Sequence, residues 1–445
     1  MNDIIKESTD YLILALYLIP VLGIWWLSQY RRSKKSSQFE SELQENIQAG
    51  LTEPPSLHPL IDRNKCIGCN TCAKACPEGE GKVLGIIQGK VELINPTHCI
   101  GHGACARACP VDAITLVFGT EKRGVEIPSV NPDFQTNVPG IFIAGELGGM
   151  GLIRNAITQG RQAMDAICKY KNIGNGEGFK DVIIVGAGPA GISASLGAKK
   201  YEIDYLTIEQ ESLGGTVSHY PRGKIVMTAP VDLPMVGKVK MRETTKEALL
   251  DFWNDIVNKH PLNISYQERM DSIEPIDGGF LVKTNKSEYR TRTLLLAVGR
   301  RGTPRKLGVA GEESSKVVYR LIDPEQYKNQ AVLVVGGGDS ALEAAWSIAE
   351  QGENTRVIIS YRSAAFSRAK EKNRQKVLDM GNTGRIEILL NSNVKEIFPD
   401  KVTIEQEGNM LERENDAVIV SAGGILPTGF LKSIGIVVET KHGEA

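Results

Sequence analysis

Seven of the eight cysteines lie between residues 66 and 109, in two similar motifs. The first motif is Cys66-x-x-Cys69-x-x-Cys72-x-x-x-Cys76, followed by a proline. Thiolates at this spacing are typical ligands of iron–sulfur clusters. Zinc is the alternative, but zinc sites usually take their four ligands from two separated pairs, unlike this unbroken run. The spacing therefore predicts an iron–sulfur cluster, and the dense clustering of cysteines argues against a disulfide framework.

The second motif repeats the first with one change. Cys99, Cys105 and Cys109 keep the spacing, whereas His102 stands where a cysteine would be expected. A neutral imidazole in place of a thiolate removes one negative charge from a cluster and raises its reduction potential. Two readings stay open: His102 is a ligand of the second cluster, or that cluster has three irons and His102 lies nearby.

A buried strand, a glycine turn and the start of a helix follow one another from residue 181. The glycines permit the turn, let the backbone approach a pyrophosphate and allow the helix to pack closely on the strand. The helix N-terminus would then meet the pyrophosphate. A carboxylate about 20 residues further on is placed to accept ribose hydroxyls. The residues expected to hold this dinucleotide are Gly186, Gly188, Pro189, Ala190, Gly191 and Glu209.

A second copy of the nucleotide motif begins at residue 331. Its second strand ends without an acidic residue and is followed by Arg362, with Arg368 nearby. A guanidinium there can bind a 2′-phosphate that a carboxylate would repel, so NADP(H) is favoured over NAD(H). Surface arginines without a ligand are the alternative. The loop residues expected to contact this nucleotide are Gly336, Gly338, Asp339, Ser340 and Ala341.

Two such motifs in one chain, with Ala297 and Gly299 between them, resemble the two-dinucleotide flavoprotein reductases. Within them, the chain is similar to the thioredoxin-reductase-like subfamily, with its bacillithiol-disulfide-reductase-like and ferredoxin–NADP-reductase-like members. The resemblance implies FAD in the first fold and NADP(H) in the second. The segment containing Gly214 and Gly215 is expected to line the flavin. The adjacent His219 and Tyr220 are candidates to gate a substrate, or have structural roles.

The cysteine region resembles a bacterial two-cluster ferredoxin. The crossed ligation of that family implies two ligand sets, each completed by one cysteine of the other motif. The first set would be Cys66, Cys69, Cys72 and Cys109, and the second Cys76, Cys99, Cys105 and, where it is a ligand, His102.

Residues 136–160 resemble the segment that closes the flavin site at the C-terminus of these reductases. Glu146 stands where that family usually has an aspartate. Because the segment precedes the first nucleotide fold, we expect a circular permutation, with residues 172–179 as the new connection. A swapped element that completes a partner subunit is the alternative. The residues expected at the flavin are Gly145, Glu146, Arg154, Asn155 and Ala156.

Residues 11–29 carry no charge and are mostly apolar. As a helix they would span roughly 28 Å, close to the hydrocarbon thickness of a bilayer. Trp25 and Trp26 lie near one end, and Arg31 and Arg32 follow, an arrangement that places the remaining chain in the cytoplasm. The expected structure is a single-pass anchor in the cytoplasmic membrane. A buried soluble helix and a signal peptide are the alternatives, although a basic segment before the apolar run is missing.

The predicted fold is α/β, with two Rossmann-like domains, a small α+β ferredoxin domain and one N-terminal transmembrane helix. The predicted segments are an anchor (1–30), a polar linker (31–60), a ferredoxin domain (61–118), an FAD domain (119–302 with 416–445) and an NAD(P) domain (303–415).

Composition and cysteine content narrow the range of possible functions. The 52 basic and 53 acidic residues nearly cancel, which speaks against a nucleic-acid partner. Residues 171–445 contain no cysteine, so the dithiol of a thioredoxin reductase is absent, and Cys168 is expected to be a packed core residue. We expect an oxidoreductase, acting as a homodimer, that moves electrons between NAD(P)H, FAD, the clusters and a ferredoxin-like or membrane carrier. A reductase of a small disulfide and a redox-sensing scaffold are the alternatives.

Overall fold

The protein is described here by a computed structural model. It describes the backbone of the chain except at residues 1, 49–50, 53, 55–56, 100, 122–123, 150, 175, 177, 221, 223–224, 228–229, 241–242, 301, 368 and 444–445. Side chains are not described for residues 2–17, 21, 225, 227, 243 and 303 either. The chain divides into two compact units, which comprise residues 1–54 with 58–116, and residues 117–444 with 55–57.

The first unit combines one long helix with a small mixed module. Two pairs of short strands, β1 with β4 and β2 with β3, frame two single-turn helices. Its core contains the buried Cys66, Cys72, Cys99 and Cys105 together with Leu84. The elements are α1 (Asn2–Gln48), β1 (His58–Ile61), α2 (Thr71–Lys74), β2 (Leu84–Ile87), β3 (Lys90–Leu93), α3 (Ala104–Arg107) and β4 (Ile114–Val117).

The end of α1 packs on the β2–β3 hairpin. Phe39 is buried with Ile87 and Ile94, because its ring lies over the hairpin. The side-chain amide of Asn46 donates to the carbonyl oxygen of Ile94 at 3.0 Å. Residues 31–48 therefore continue the helix and pack on the cluster module. The sequence predicts a helical extension and a linker for residues 31–60.

The predicted transmembrane anchor is wrong. Among the residues that the structure describes, no helix is long and apolar enough to cross a membrane. The apolar run of α1 ends at Leu27, and Gln29, Arg31 and Arg32 follow within the same helix. A span needs about 20 predominantly apolar residues. The predictions of a bilayer contact through residues 11–29 and of a single-pass membrane location are overturned by the same finding.

The second unit begins with a seven-stranded sheet, which is parallel where it carries the first glycine motif. Six strands follow the order β13-β8-β7-β16-β15-β14. The seventh strand, β6, lies off this row and pairs with β16. Apolar runs at 182–185 and 294–296 are fully buried because helices cover the parallel strands. The elements are β5 (Val125–Pro128), β6 (Ile141–Ile143), α4 (Ile153–Ile167), β7 (Lys180–Val185), α5 (Pro189–Lys200), β8 (Tyr205–Glu209), β9 (Ile225–Met227), β10 (Val231–Leu233), β11 (Gly237–Val239), β12 (Glu243–Thr245), α6 (Lys246–Lys259), β13 (Ile264–Tyr266), β14 (Met270–Ile276), β15 (Gly279–Thr284) and β16 (Glu288–Leu296).

A second sheet, of order β18-β25-β19-β20-β21, carries the second glycine motif, and a three-stranded meander follows it. The elements are β17 (Thr303–Pro304), β18 (Val317–Val318), β19 (Ala331–Val335), α7 (Asp339–Ala349), β20 (Arg356–Tyr361), α8 (Glu371–Asn382), β21 (Ile386–Leu390), β22 (Ser392–Ile397), β23 (Lys401–Gln406), β24 (Asn409–Glu414), β25 (Ala417–Val420) and β26 (Gly424–Ile425). Two sheets whose strands run parallel at the glycine turns, with covering helices, form a Rossmann-like α/β architecture, so the predicted α/β class is confirmed.

The chain returns to the first sheet only after β26. Residues 416–445 were predicted to belong to the FAD domain, but β25 pairs with β19 and β18 of the second sheet. The return consists of α9 (Thr428–Ser433) and β27 (Val438–Lys441), which pairs with β5. Leu431 and Ile436 pack into the core of the first sheet. We call residues 117–302 with 428–444 the first half of this unit, and residues 303–427 the second half.

Candidate functional site

Four of the predicted cluster ligands line one cavity of the first unit. Cys72 lies on α2, Cys66 and Cys69 lie on the loop before it, and Cys109 follows α3. The loop can pass close to the β2–β3 turn because residue 68 is glycine, and a Cβ there would lie 2.2 Å from the carbonyl oxygen of Gly89. The cavity has about 300 Å³ of open space and is lined by Cys66, Ile67, Gly68, Cys69, Asn70, Cys72, Val91, Cys109, Pro110, Val111, Ala113 and Ile114.

The other four predicted ligands line a second cavity of about 320 Å³. Cys105 lies on α3 and Cys99 precedes it, while Cys76 comes from the first motif. His102 faces the same cavity, in the loop before α3. The lining is Pro59, Cys76, Glu78, Val83, Leu84, Cys99, Gly101, His102, Gly103, Cys105 and Leu116. Each cavity thus combines three donors of one motif with a single cysteine of the other.

The donor geometry fits a polynuclear cluster. Within the described part of the chain, no three His, Cys, Asp or Glu side chains converge closely enough to hold one metal ion. The donors instead surround two cavities, and seven of the eight are cysteines, the ligand that iron–sulfur clusters use.

The cysteine thiols that line the two cavities differ from one another in pKa. Burial raises the pKa of the Cys72 and Cys99 thiols to about 11, and raises that of Cys76 and Cys105 as well. Cys69 is exposed, and its hydrogen bond with the Thr71 hydroxyl, at 3.3 Å, lowers its pKa. Ligands must lose their protons to bind metal, so assembly of either cluster releases protons.

Two backbone amides point at cavity sulfurs, a feature that sequence reasoning missed. The N–H of Val91 lies 3.5 Å from the Sγ atom of Cys66, and the N–H of Ala113 lies 3.3 Å from that of Cys109. Hydrogen bonds to cluster sulfurs are one way in which a protein sets a reduction potential. The Ala113 amide is only four residues from Cys109 in the chain, whereas no local motif signals the Val91 amide, which is 25 residues from Cys66.

The first glycine motif forms a tight strand–turn–helix unit. A Cβ on Gly191 would lie 1.8 Å from the carbonyl oxygen of Gly186, so only glycine lets α5 pack this closely. Pro189 and Ala190 open α5. The predicted flavin-lining loop is also brought here, since a Cβ on Gly215 would lie 3.0 Å from the Cα of Gly188. Gly214 precedes it, and its N–H donates to the carbonyl oxygen of Ala187 at 3.0 Å.

Glu209 ends β8 beside this turn. One carboxylate oxygen accepts from the N–H of Ala187 at 2.7 Å, and the other accepts from the N–H of Glu211 at 2.9 Å. Burial raises the pKa of Glu209, and these backbone donors oppose the shift. At the end of the neighbouring strand, the N–H of Ala297 donates to the carbonyl oxygen of Val185 at 2.8 Å. Gly299 follows two residues later, after the strand has ended.

The segment predicted to close the flavin site reaches the same turn. β6 pairs with β16 in parallel, and α4, which carries Arg154, Asn155 and Ala156, packs against α5. A Cβ on Gly160 would lie 2.1 Å from the carbonyl oxygen of Ala190, so the two helices are in backbone contact. A Cβ on Gly145 would approach the side chain of Ala190 to 3.1 Å.

Glu146 directly follows this glycine. Burial raises the pKa of its carboxyl group, and the nearby positive charge of Arg300 opposes the shift. The residues predicted to hold FAD come from two distant segments of the chain. The structure brings them together at one end of the first sheet.

The second glycine motif has the same local shape. A Cβ on Gly336 would lie 2.4 Å from the carbonyl oxygen of Ser421 and 3.1 Å from the Cβ of Ala341. Among the described residues, no atom lies within 4 Å of a Cβ built on Gly338, at the start of α7, so space is open there. Asp339 and Ser340 occupy the first turn of α7. Arg362 follows β20 and is exposed, whereas Arg368 lies outside the described residues.

Asp339 is held by residues that sequence reasoning missed. Its Oδ1 atom accepts from the N–H of Lys370 at 2.8 Å and from the side-chain amide of Asn373 at 2.9 Å. Both donors lie at the start of α8, so this helix is fixed against the glycine turn. The ring of Tyr361 covers the middle glycine of the motif, since a Cβ on Gly337 would lie 2.4 Å from it.

His219 and Tyr220 lie where the two halves of the second unit meet. The Nε2 atom of His219 is 3.0 Å from the Oε2 atom of Glu211, and Arg320 of the second half contacts Nδ1. The carbonyl oxygen of Tyr220 accepts from the Nζ atom of Lys246 at 2.5 Å. Both predicted gate residues thus make contacts that join elements of the fold.

Cys168 lies at the end of α4 and packs against the core of the first sheet, in keeping with a core cysteine. Burial raises the pKa of its thiol to about 11, which keeps it protonated and unreactive at neutral pH.

Comparison with known proteins identifies both parts of the chain. Residues 183–444 match the family profile described as pyridine nucleotide-disulphide oxidoreductase, and residues 58–110 match a 4Fe-4S dicluster domain. The chain is similar to a ferredoxin–NADP reductase of Ignicoccus hospitalis, with 29% identity over 58% of this chain and 82% of that protein. It is also similar to the bacilliredoxin reductase Bdr of Bacillus subtilis, with 25% identity over 59% of this chain and 82% of that protein.

Solved structures agree with the sequence relatives. The match to the bacillithiol disulfide reductase Bdr (YpdA) from Staphylococcus aureus covers 57% of this chain and 79% of that chain, at 28% identity and a TM-score of 0.51. That from Bacillus cereus gives a TM-score of 0.52 at 25% identity, over 57% of this chain and 81% of its own. The chain therefore belongs to the pyridine nucleotide-disulphide oxidoreductase family, as an FAD-dependent oxidoreductase that also carries a 4Fe-4S dicluster domain.

Proposed function

We propose that this protein transfers electrons between NADP(H), FAD, two iron–sulfur clusters and a ferredoxin-like one-electron carrier. The observation that carries the proposal is the presence, in one chain, of two glycine-turn nucleotide folds and two cavities with four predicted ligands each. A bound flavin exchanges electron pairs with a nicotinamide and single electrons with clusters, and the protein positions and tunes these groups.

The first cavity is the better candidate for exchange with a protein carrier. Ile67 lies between two of its cysteines and is 64% exposed, and Cys69 is exposed as well. Cys66 and Cys72 of the first cavity are buried, as are Cys99 and Cys105 of the second, but none of the three cysteines that line the second cavity is exposed. A cluster held by the first set would therefore lie nearest to a docked partner. The ferredoxin–NADP reductase similar to this chain is named for such a partner.

Reduction of a small disulfide is less well supported, although the similar Bdr proteins are named for that activity. Thiol–disulfide exchange needs an attacking thiolate. Residues 171–445 contain no cysteine, and Cys168 is a core residue with a raised pKa. The protein with its cofactors should therefore pass electrons from NADPH to a ferredoxin or a viologen, and not to a disulfide. If NADPH reduces the disulfide but leaves the clusters oxidised, the electron-transfer proposal is wrong.

For the clusters, we propose the crossed sets described above, with His102 as the fourth ligand of the second. The position of His102 in the lining of the second cavity supports this choice. A three-iron cluster with His102 nearby is the alternative. It would contain one iron fewer, about seven in total for the chain instead of about eight.

Replacing His102 by cysteine tests its role. The His102→Cys variant adds a thiolate and one negative charge, so the potential of the second cluster should fall by on the order of 100 mV. An EPR-monitored redox titration measures the shift. His98→Ala is the control, because His98 lies in the same module but outside the lining of either cavity. An unchanged EPR spectrum and potential in the cysteine variant would remove His102 from the ligand set.

For the flavin, we propose that one chain supplies the whole site through a circular permutation. The pairing of β6 with β16 and the packing of α4 on α5 support this arrangement. The residues proposed to hold FAD are Gly186, Gly188, Pro189, Ala190, Gly191, Glu209, Gly214, Gly215, Ala297 and Gly299, with Gly145, Glu146, Arg154, Asn155 and Ala156 from the permuted segment. An element swapped between the subunits of a homodimer is the alternative.

For the nicotinamide nucleotide, we propose Gly336, Gly338, Asp339, Ser340 and Ala341 at the phosphates and Arg362 at the 2′-phosphate. The exposed Arg362 directly follows β20, whose end meets the glycine turn. A charged hydrogen bond of this kind contributes about 1.5–3 kcal/mol.

The variant Arg362→Ala should therefore raise the KM for NADPH by roughly 10–100-fold and change that for NADH by less than about threefold. Steady-state kinetics with both nucleotides measure the difference. Arg356→Ala is the matched control, because Arg356 lies at the other end of β20 and pairs with Glu414 at 2.7 Å. An equal change for NADPH and NADH would contradict a role at the 2′-phosphate.

A further inference from the structure

The two halves of the second unit have separate apolar cores. Among the described residues, the hydrophobic clusters built on the first sheet contain no residue of the second half. The clusters built on the second sheet contain no residue of the first half. The relative position of the two halves is therefore set by the connecting chain and by polar contacts.

The connecting chain forms a narrow ribbon. It leaves the first half at β17 and comes back at β26, and these strands pair with each other. Residue 302 has a φ of +62° and residue 423 a φ of +82°, and both are glycines. A two-stranded ribbon with glycines at its ends can change its backbone angles at little cost, as a hinge requires.

A polar cluster holds the halves together away from this ribbon. Arg320, in the second half, lies 3.4 Å from the Oε2 atom of Glu211 in the first half. Its guanidinium also donates to the Nδ1 atom of His219, whose Nε2 atom lies 3.0 Å from the same carboxylate oxygen. A guanidinium can only donate, so this contact requires the His219 tautomer that accepts at Nδ1 and carries its proton on Nε2, facing Glu211.

A second contact lies a few residues further along both segments. The backbone N–H of Arg222 donates to the carbonyl oxygen of Ile322 at 3.4 Å, and its guanidinium lies 3.8 Å from Asp323. The segment 219–222 of the first half is thus joined to the segment 320–323 of the second half. That first-half segment directly follows the loop proposed to line the flavin.

The geometry points to Arg320 as a positioning residue for hydride transfer between NADP(H) and the flavin, an inference that rests on the proposed function. Within the described part of the chain, the side-chain contacts of Arg320 are with Glu211 and His219 and not with either glycine turn. Arg320 acts through Glu211 and His219, which fix the second half against the first. Hydride transfer requires the reacting atoms to be within about 3–3.5 Å, and a misplacement of 1 Å can cost a factor of about 100 in rate.

Rapid mixing of the FAD-loaded protein with NADPH separates positioning from binding. In Arg320→Ala, the rate of flavin bleaching at saturating NADPH should fall at least about tenfold, while the Kd for NADPH stays within about threefold. Hydrogen exchange in β17 and β26, measured without nucleotide, should increase because the ribbon is less restrained. Arg269→Ala is the control, since Arg269 pairs with Asp271 inside the first half, at 2.9 Å.

A charge swap distinguishes the contact from a general loss of stability. Glu211→Arg and Arg320→Glu should each be slow, and the double variant should recover to within about threefold of the parent rate. The swapped pair is compatible with the other neutral tautomer of His219, which donates from Nδ1 and accepts at Nε2. The inference is overturned by an unchanged or faster rate in Arg320→Ala, or by a double variant as slow as the single ones. If NADPH fails to reduce the flavin of the parent protein, the proposed function fails, while hydrogen exchange still tests the contact.

Discussion

Replacing Cys72 and Cys105 together by alanine should abolish electron transfer to a ferredoxin or a viologen while leaving NADPH able to reduce the bound flavin. Each change removes one thiolate from a different cavity, and both sulfurs are buried among their neighbours. We expect each cluster to be lost when one of its buried ligands is removed, so iron and sulfide should fall to near zero. The rate with a one-electron protein acceptor should fall more than about 100-fold, because on the proposed path electrons leave the flavin through the clusters.

Two measurements make this result interpretable. Flavin content and flavin bleaching by NADPH should stay within about twofold of the parent, because the two nucleotide folds lie in the other unit. Cys168→Ala is the matched control, a cysteine outside both cavities, and should keep its iron. The single variants should each lose about half of the iron. Unchanged ferredoxin reduction in the double variant would show that electrons bypass the clusters.

The cluster donors could be predicted from the sequence because their spacing is local. Three donors of each cavity lie within eleven residues, and the fourth follows from the resemblance to two-cluster ferredoxins. The same holds for both glycine turns, whose strand, turn and helix are consecutive. The amide of Val91 at the sulfur of Cys66 could not be predicted, because pairing between β2 and β3 brings it there.

Features that depend on distant contacts were missed or misassigned. Phe39 and Leu43 lie four residues apart on one face of a helix, a spacing that indicates packing of this face against another element. The polar residues around them, however, indicated a linker. The apolar run 417–420 fits either parallel sheet, and only strand pairing assigns it to the second. Arg320 and His219 are 101 residues apart, so no local pattern relates them.

The closing segment of the flavin site offers the second large effect, through Gly160. A Gly160→Val change places a side chain against the backbone of α5, since even a Cβ would lie 2.1 Å from the carbonyl oxygen of Ala190. The backbone of α5 cannot move aside without displacing the first glycine turn, so α4 must move away. Overpacking of this kind costs about 1–3 kcal/mol and occasionally more. We expect the variant to retain less than about a tenth of the FAD, measured after release from the purified protein.

Gly148→Ala is the control for this variant, because Gly148 lies in the same segment and a Cβ there would meet no atom of the described residues within 4 Å. Its FAD content should equal that of the parent. Retention of normal FAD by Gly160→Val would show that α4 does not close the flavin site.

Co-expression with a second defective chain decides whether α4 acts within its own chain. Gly191→Val damages the glycine turn itself, because its Cβ would lie 1.8 Å from the carbonyl oxygen of Gly186. If the subunits of a dimer exchange α4, a mixed dimer contains one intact α4 facing one intact turn, and about a quarter of all sites recover FAD. If each chain completes its own site, every chain carries one defect and no site recovers. The pairing of β6 with β16 and the contact of α4 with α5 favour the second outcome. FAD recovery in the mixture would show that α4 is exchanged between two chains and would contradict a permutation within one chain.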